Sequence, residues 1–269
     1  MFGNATRMLL LSDLGIGSDY SLAPDYAVKL ILARNPGLDE FHKLTRNEWN
    51  LMKKTLANTV DIVVVNGECT DGPQYANRGR ELWTADINEQ CRGAANLLRE
   101  LSFKKAYITK GTPYHSGDNM NLDEVVADQI GAWCGHELSL KVKDFRFHIS
   151  HTIGVSSSYY RTTAIAREML SSEVQKKEYG HYNGIIRSHA HYYVAVEYGG
   201  QWGLITPCWQ GRTPYMVRKG LAMTPKLGYV IVDIYDDHIE RSAHLFSMPQ
   251  IQDEVYVESK EQKYEEYKQ

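Results

Sequence analysis

Asp13, Glu68, His115, His151, His189 and His191 are the residues of this chain whose types and settings could do chemistry together, because each follows an apolar run. The fullest example is Ile185-Ile186-Arg187-Ser188-His189-Ala190-His191. In a strand or its continuation, side chains at i and i+2 point to the same side, so His189 and His191 are expected to present two imidazoles to one place. Taken alone, this stretch reads equally well as a metal-binding pair and as two polar residues at a strand end. A lone strand-end aspartate such as Asp13 is more often a turn or cap residue. Several such residues at successive strand ends are hard to assign to turn chemistry. Mixed carboxylate and imidazole donors suit Mn, Fe, Zn or Ni better than Mg or Ca. A carboxylate shared by two such ions would hold them about 3.5–4 Å apart, the spacing used for in-line phosphoryl displacement.

The elements that must position these residues can be read in order. Met8-Leu9-Leu10-Leu11-Ser12 reads as a buried strand that leaves the sheet at Asp13, and Leu14-Gly15-Ile16-Gly17-Ser18 as a turn whose glycines let the backbone approach a ligand. Thr45-Arg46-Asn47-Glu48 has the form of a capping box, and the spacing of Trp49, Met52 and Leu56 predicts an amphipathic helix from there to about residue 58. The β-branched run 61–66 predicts a central parallel strand buried on both faces, with Glu68 at its carboxyl end, where open parallel sheets bind ligands. A helix over 84–102, a strand over 105–109, a constrained loop over 111–117 that aims His115, and a helix over 122–134 follow. A hairpin over 138–142 and 145–150 ends at His151, and a helix over 162–173 precedes the Ile185 strand. Beyond the two histidines, strands are expected over 192–197, 203–206, 227–235 and 238–246, joined by short turns with no helix between them. Beta-alpha alternation in the first half and hairpins in the second predict two packed sheets with helices outside, in one domain over 1–250. Residues 251–269, rich in Glu, Lys and Tyr, read as a charged tail.

Composition narrows the function classes. With 269 residues, 43% of them hydrophobic, the chain can bury a sizeable core, and a formal charge of −3 argues against coating nucleic acid by bulk electrostatics. Nucleic acid stays open as a substrate. No run approaches the roughly 18–20 apolar residues of a membrane helix, and no secretory segment opens the chain, so a cytoplasmic protein is expected. Cys69, Cys91, Cys134 and Cys208 form no CxxC pair and are expected to be reduced, mostly buried thiols.

The ordered motifs carry a resemblance. Ser12-Asp13 through Leu22-Ala23-Pro24, Asn66-Gly67-Glu68-Cys69-Thr70-Asp71-Gly72, Gly111-Thr112-Pro113-Tyr114-His115-Ser116-Gly117, Ser188-His189-Ala190-His191 and Thr206-Pro207-Cys208-Trp209-Gln210 resemble the signatures of the calcineurin-like metallophosphoesterase superfamily, and within it the phage and prophage branch. The likeness spans residue 8 to about 235. It implies an α/β four-layer α-β-β-α sandwich of two mixed sheets flanked by helices. It also implies hydrolysis of phosphate esters, with nucleic acid or nucleotides as the substrate class and the host cytoplasm as the place if the chain is phage-encoded. By the resemblance, Asp13 and His191 hold one metal, His151 and His189 the other, Glu68 bridges them, Thr112 stands at a further ligand position, and His115 protonates the leaving group. The cofactor implied is Mn, with Zn, Fe and Ni as alternatives, at one or two ions per chain. Oligomeric state is not read from the sequence.

Three positions depart from the pattern. Gly15 stands where the superfamily's first motif has a histidine, Glu68 where the second has an aspartate, and Thr112 where the third has an asparagine. These departures motivate a second reading, a weakened or inactive member serving as a binding or assembly module. Arg212 and Trp209, in the loop 207–215, could close over a phosphate and stack on a base, or simply shape a structural loop. His148 is expected on the opposite side of its strand from His151, and Asp71 reads more simply as part of an Asp-Gly turn than as a second acid.

Overall fold

Alternation along β1 (Thr6–Leu11) sends Met8 and Leu10 to one face of a sheet and Leu9 and Leu11 to the other, and all four are fully buried. A strand buried on both faces needs a layer on each, and this requirement organises the chain. The computed structural model describes residues 5–116, 121–154, 160–220 and 224–247, so the expected tail at 251–269 lies outside the described residues. After β1 come α1 (Asp25–Arg34), α2 (Asp39–Leu56), β2 (Ile62–Asn66), α3 (Ile87–Arg99), β3 (Lys105–Thr109), α4 (Pro113–Ser116), α5 (Leu122–Ile130) and β4 (Trp133–Gly135). The second half runs β5 (Glu137–Val142), β6 (Phe145–Ser150), α6 (Arg161–Val174), α7 (Lys176–Tyr179), β7 (Gly184–Arg187), β8 (Val194–Tyr198), β9 (Gln201–Ile205), α8 (Pro214–Arg218), β10 (Leu227–Ile234) and β11 (Ile239–Phe246).

Two mixed sheets result, ordered β11-β10-β1-β2-β3-β4 and β5-β6-β7-β9-β8. Leu9, Leu11, Val63, Val65 and Ile108 meet Ile31 of α1, Trp49 and Met52 of α2, Leu98 of α3 and Val126 of α5. The opposite side chains, Met8, Leu10, Ile62 and Val64, meet Phe147, Ile149, Ile186, Trp202 and Leu204 of the second sheet. Ile185 and Ile205 turn outward to Ile165 and Met169 of α6. Helices, sheet, sheet and helix therefore form the expected four layers. In the first sheet β1, β2 and β3 are parallel, and in the second β6, β7 and β9 are parallel. The carboxyl ends of both parallel sets lie at the same end of the sandwich, as Asn66 Nδ2 shows by donating to Ser150 O at 3.0 Å and to Ser188 Oγ at 2.6 Å.

Several expectations are corrected. The helix expected from Thr45 begins at Asp39, and Thr45 lies inside it, its hydroxyl donating to Phe41 O at 3.0 Å. That i−4 back-bond is open to any helical threonine and competes with capping. Helix α1 was not expected; Tyr26 and Leu30 are 49% and 53% exposed while Ala27 and Ile31 are buried, so apolar residues surround it and blur the period. Helix α5 stops at Ile130, because Gly131 takes φ 69° and its N–H returns to Ala127 O and Asp128 O. Cys134, expected in that helix, lies in β4. The second half also holds a helix, α8, where Thr213 accepts from the Met216 N–H at 3.2 Å and Pro214 opens the first turn.

Candidate metal centre

Ser12, Asn66, Thr109, Ser150, Ser188 and Thr206 stand at or just beyond the ends of β1, β2, β3, β6, β7 and β9, and all are buried. The side chains of all but Ser150, which joins through its backbone carbonyl, form a continuous polar layer. Thr109 Oγ1 donates to Asn66 Oδ1 at 2.6 Å, and Asn66 Nδ2 reaches Ser188 Oγ. Ser188 Oγ lies 2.6 Å from Thr206 Oγ1, which lies 2.8 Å from Ser12 Oγ. This layer stitches the two sheets together directly beneath the candidate residues, since Asp13, His151 and His189 each follow one of its members in the chain.

Beyond the layer the backbone turns sharply. Asp13 has φ 48°, Glu68 57°, His189 68° and His191 53°, which are four of the eight described non-glycine residues at positive φ. Such conformations cost about 1–3 kcal/mol each and concentrate where function demands them. His189 and His191 therefore do not lie on a strand continuation, as expected from the sequence; β7 ends at Arg187 and left-handed turns aim each ring separately.

The side chains brought together form two groups of three whose donor atoms lie within 4.8 Å of one another: Asp13, Glu68 and His191, and Glu68, His151 and His189. Glu68 belongs to both. His191 Nε2 is 3.2 Å from Asp13 Oδ1, His151 Nε2 is 3.1 Å from Glu68 Oε1, and His189 Nδ1 is 3.7 Å from the same oxygen. His151 Nδ1 is 2.7 Å from Asn66 O, an atom that can only accept, so Nδ1 carries a proton and Nε2 is the nitrogen turned toward the carboxylates, the one a cation would take once its proton leaves. Gly67 makes room for this ring: a Cβ there would meet His151 Nδ1 at 2.3 Å.

His115 joins from α4. Its Nε2 is 3.3 Å from Glu68 Oε2, and its Nδ1 is 3.0 Å from Asp71 Oδ1. Asp71 is 1% exposed and also accepts from Gln74 Nε2 and, at 2.9 Å, from Gln210 Nε2. It is a residue that sequence reasoning set aside as turn-forming, although its three-residue offset from Glu68 was visible. Gly15 takes φ 57°, and a Cβ there would lie 3.2 Å from Gln210 Nε2, so the amide crowds a side chain at that position.

Two other expected site residues differ in placement. Thr112 lies at the centre, where its hydroxyl donates to Glu68 Oε1 at 2.6 Å. Trp209 is fully buried, its ring 5.1 Å from that of Trp49 and 5.3 Å from that of Phe246, and cannot stack on a base. Arg212 is exposed on the same loop. His148 stands apart as expected, 2.9 Å from Arg187 Nη2 through Nδ1.

The electrostatics fit a cation. Burial alone would lower the His151 and His115 pKa values, but Glu68, with Asp13 for the first and Asp71 for the second, outweighs it and raises them to about 9 and about 10. His191 is likewise raised well above its ordinary value, against burial, by Cys208 and Asp13. Burial would raise Glu68, yet His115 and His151 hold it well below the usual carboxylate range. Asp13 Oδ1 and Oδ2, His151 Nε2 and His191 Nδ1 are nonetheless buried without hydrogen-bond partners. Orphaned acceptors of this kind, in a mixed oxygen and nitrogen set, are what a divalent cation satisfies. Two of the thiols stay protonated: burial first, then Asp123, holds Cys91 at about 11 and Cys134 at about 12.

No protein-family model matches the chain, and no curated protein matches it in sequence. Among solved structures, the chain is similar to Vps29 from Entamoeba histolytica in complex with Zn2+, at 12% identity and TM-score 0.45, covering 90% of this chain and 100% of that one. It is also similar to an archaeal phosphodiesterase at 13% identity and TM-score 0.44, covering 89% and 100%. Vps29 from Chaetomium thermophilum aligns at 11% identity and TM-score 0.47, covering 91% and 100%.

Proposed function

We propose that this protein is a metal-dependent phosphoesterase of the calcineurin-like kind, acting on phosphodiesters of nucleic acid or nucleotides. The observation that carries the reading is Glu68, a buried carboxylate common to two adjacent groups of ligand-type side chains. Asp13, Glu68 and His191 would hold one cation, and Glu68, His151 and His189 the other, with Mn the first choice and Zn, Fe and Ni the alternatives. When bound, such a pair supplies Lewis-acid polarisation of a phosphate oxygen and a water made acidic enough to attack phosphorus. His115 is the proton donor in this reading, since its ring is held by Asp71 on one side and turned toward Glu68 on the other. Arg212 is retained as a phosphate contact on the exposed loop; the stacking role considered for Trp209 is not. The finer likeness to the phage and prophage branch, and with it a cytoplasmic setting, rests on the sequence motifs. Among the described residues no helix is long and apolar enough to cross a membrane.

The test is hydrolysis of an aryl phosphodiester with added Mn2+. The chain should turn over the substrate well above the level of a His189→Ala variant; equal rates for the two across Mn, Zn, Fe and Ni contradict the proposal. The second reading, a binding module with a weakened site, is favoured by Gly15, whose place for a side chain is taken by Gln210. Calorimetric titration separates the two, because an intact centre takes up two ions per chain.

A further inference from the structure

Asp123, in the first turn of α5, carries a carboxylate that points away from solvent and is 5% exposed. Its oxygens accept from three backbone N–H groups of two separate loops. Oδ1 takes Cys69 at 2.9 Å, and Oδ2 takes Gly111 at 2.7 Å and Glu68 at 3.3 Å. The first loop carries the shared carboxylate and the second carries Thr112, whose hydroxyl holds Glu68 Oε1. Glu68 is in a left-handed conformation, φ 57°, that its own side chain does not favour. A carboxylate gripping its N–H and the next one opposes relaxation of that turn, since charge-assisted bonds from buried amides are about twice as strong as neutral ones. The fit is close: a Cβ at Gly111 would meet Glu68 Cγ at 2.5 Å, Glu68 N at 2.9 Å and Asp123 Oδ2 at 3.2 Å.

We infer that Asp123 is a positioning residue for Glu68: by clamping the β2 and β3 loops through three amides, it sets where the shared carboxylate sits between the two groups of histidines. It touches no ligand atom itself. The inference rests on the metal-dependent reading of the centre. Supports of this order typically change metal affinity by about 10- to 100-fold.

The experiment is Mn2+ titration of the full chain and of Asp123→Asn, which keeps the shape but offers an amide where one of the three N–H groups needs an acceptor. Amide hydrogen exchange of the metal-free proteins is measured alongside. The expected result is two ions for the parent chain, a 10- to 100-fold weaker affinity for Asp123→Asn, and faster exchange at Glu68, Cys69 and Gly111. Asp123→Glu, which keeps the charge but moves the carboxylate by one methylene from the three amides, should reproduce the affinity loss and decides the matter if Asp123→Asn does not fold. Unchanged affinity in the variants beside a two-ion parent overturns the positioning role while leaving the proposed function standing. A parent chain that takes up no ion overturns both.

Discussion

Glu68 divides its centre into a closed side and an open side. Toward the first, the Asp13 and His191 side chains are 2% and 12% exposed; toward the second, His151 is fully buried but His189 is 44% exposed. The closed side holds the orphaned oxygens of Asp13, so its need for a positive partner is met from within the protein or by an ion that water cannot replace. The open side has one ligand in solvent, which is where a substrate can approach. In the proposed reading one side would retain an ion and the other would admit substrate.

The largest effect should come from breaking what the two sides share. Glu68→Gln is expected to abolish uptake of at least one ion and to lower phosphodiesterase activity by about 10^2- to 10^3-fold, the range for removing one preorganised electrostatic group. In the metal-free protein it should also cost about 3–5 kcal/mol in denaturant unfolding, because buried histidines lose their counter-charge. Next comes the asymmetry itself. His191→Ala, on the closed side, should weaken Mn2+ binding roughly tenfold more than His189→Ala, a difference of about 1.4 kcal/mol by calorimetry. Equal losses would remove the distinction between the sides.

A third effect is pH dependence of ion uptake. His151 is raised to about 9 and His191 is shifted the same way, so in the metal-free protein both hold their protons more tightly than a free imidazole does. A cation must displace them, so affinity should rise as pH increases from 7 toward 9, with proton release on binding that shrinks over the same range. The sign for stability is opposite. A histidine whose pKa is raised on folding contributes stability present below its unfolded value of about 6.5 and lost as pH rises through about 9, so metal-free unfolding should become easier toward pH 9. The smallest effect should be Thr206→Val, which keeps shape but removes the hydroxyl shared by Ser12 and Ser188. A loss of about 1–3 kcal/mol in unfolding, with the two-ion stoichiometry intact, is expected.

The layer order and most strands were legible because hydrophobic periodicity follows from burial, and β1 and β2 are buried on both faces. The six candidate residues converge for the same reason, since a parallel sheet gathers its carboxyl ends. What sequence pattern could not supply was the backbone after each strand. Positive φ at Asp13, Glu68, His189 and His191 is imposed by tertiary bonds, such as Asp13 N–H to Gly67 O at 3.1 Å, and not by residue type. Trp209 was misassigned because an aromatic in a loop reads the same whether it faces a cleft or, as here, the core. The layer of Ser12, Asn66, Ser188 and Thr206 went unread because small polar residues near strand ends are common and only their mutual distances mark them.

In the proposed enzyme Glu68 would lie between two cations. Anomalous diffraction from Mn2+-soaked crystals measures this directly: two peaks are expected, one beside Asp13 and His191 and one beside His151 and His189, with Glu68 between them. No peak at this centre, or peaks only elsewhere on the protein, would contradict it.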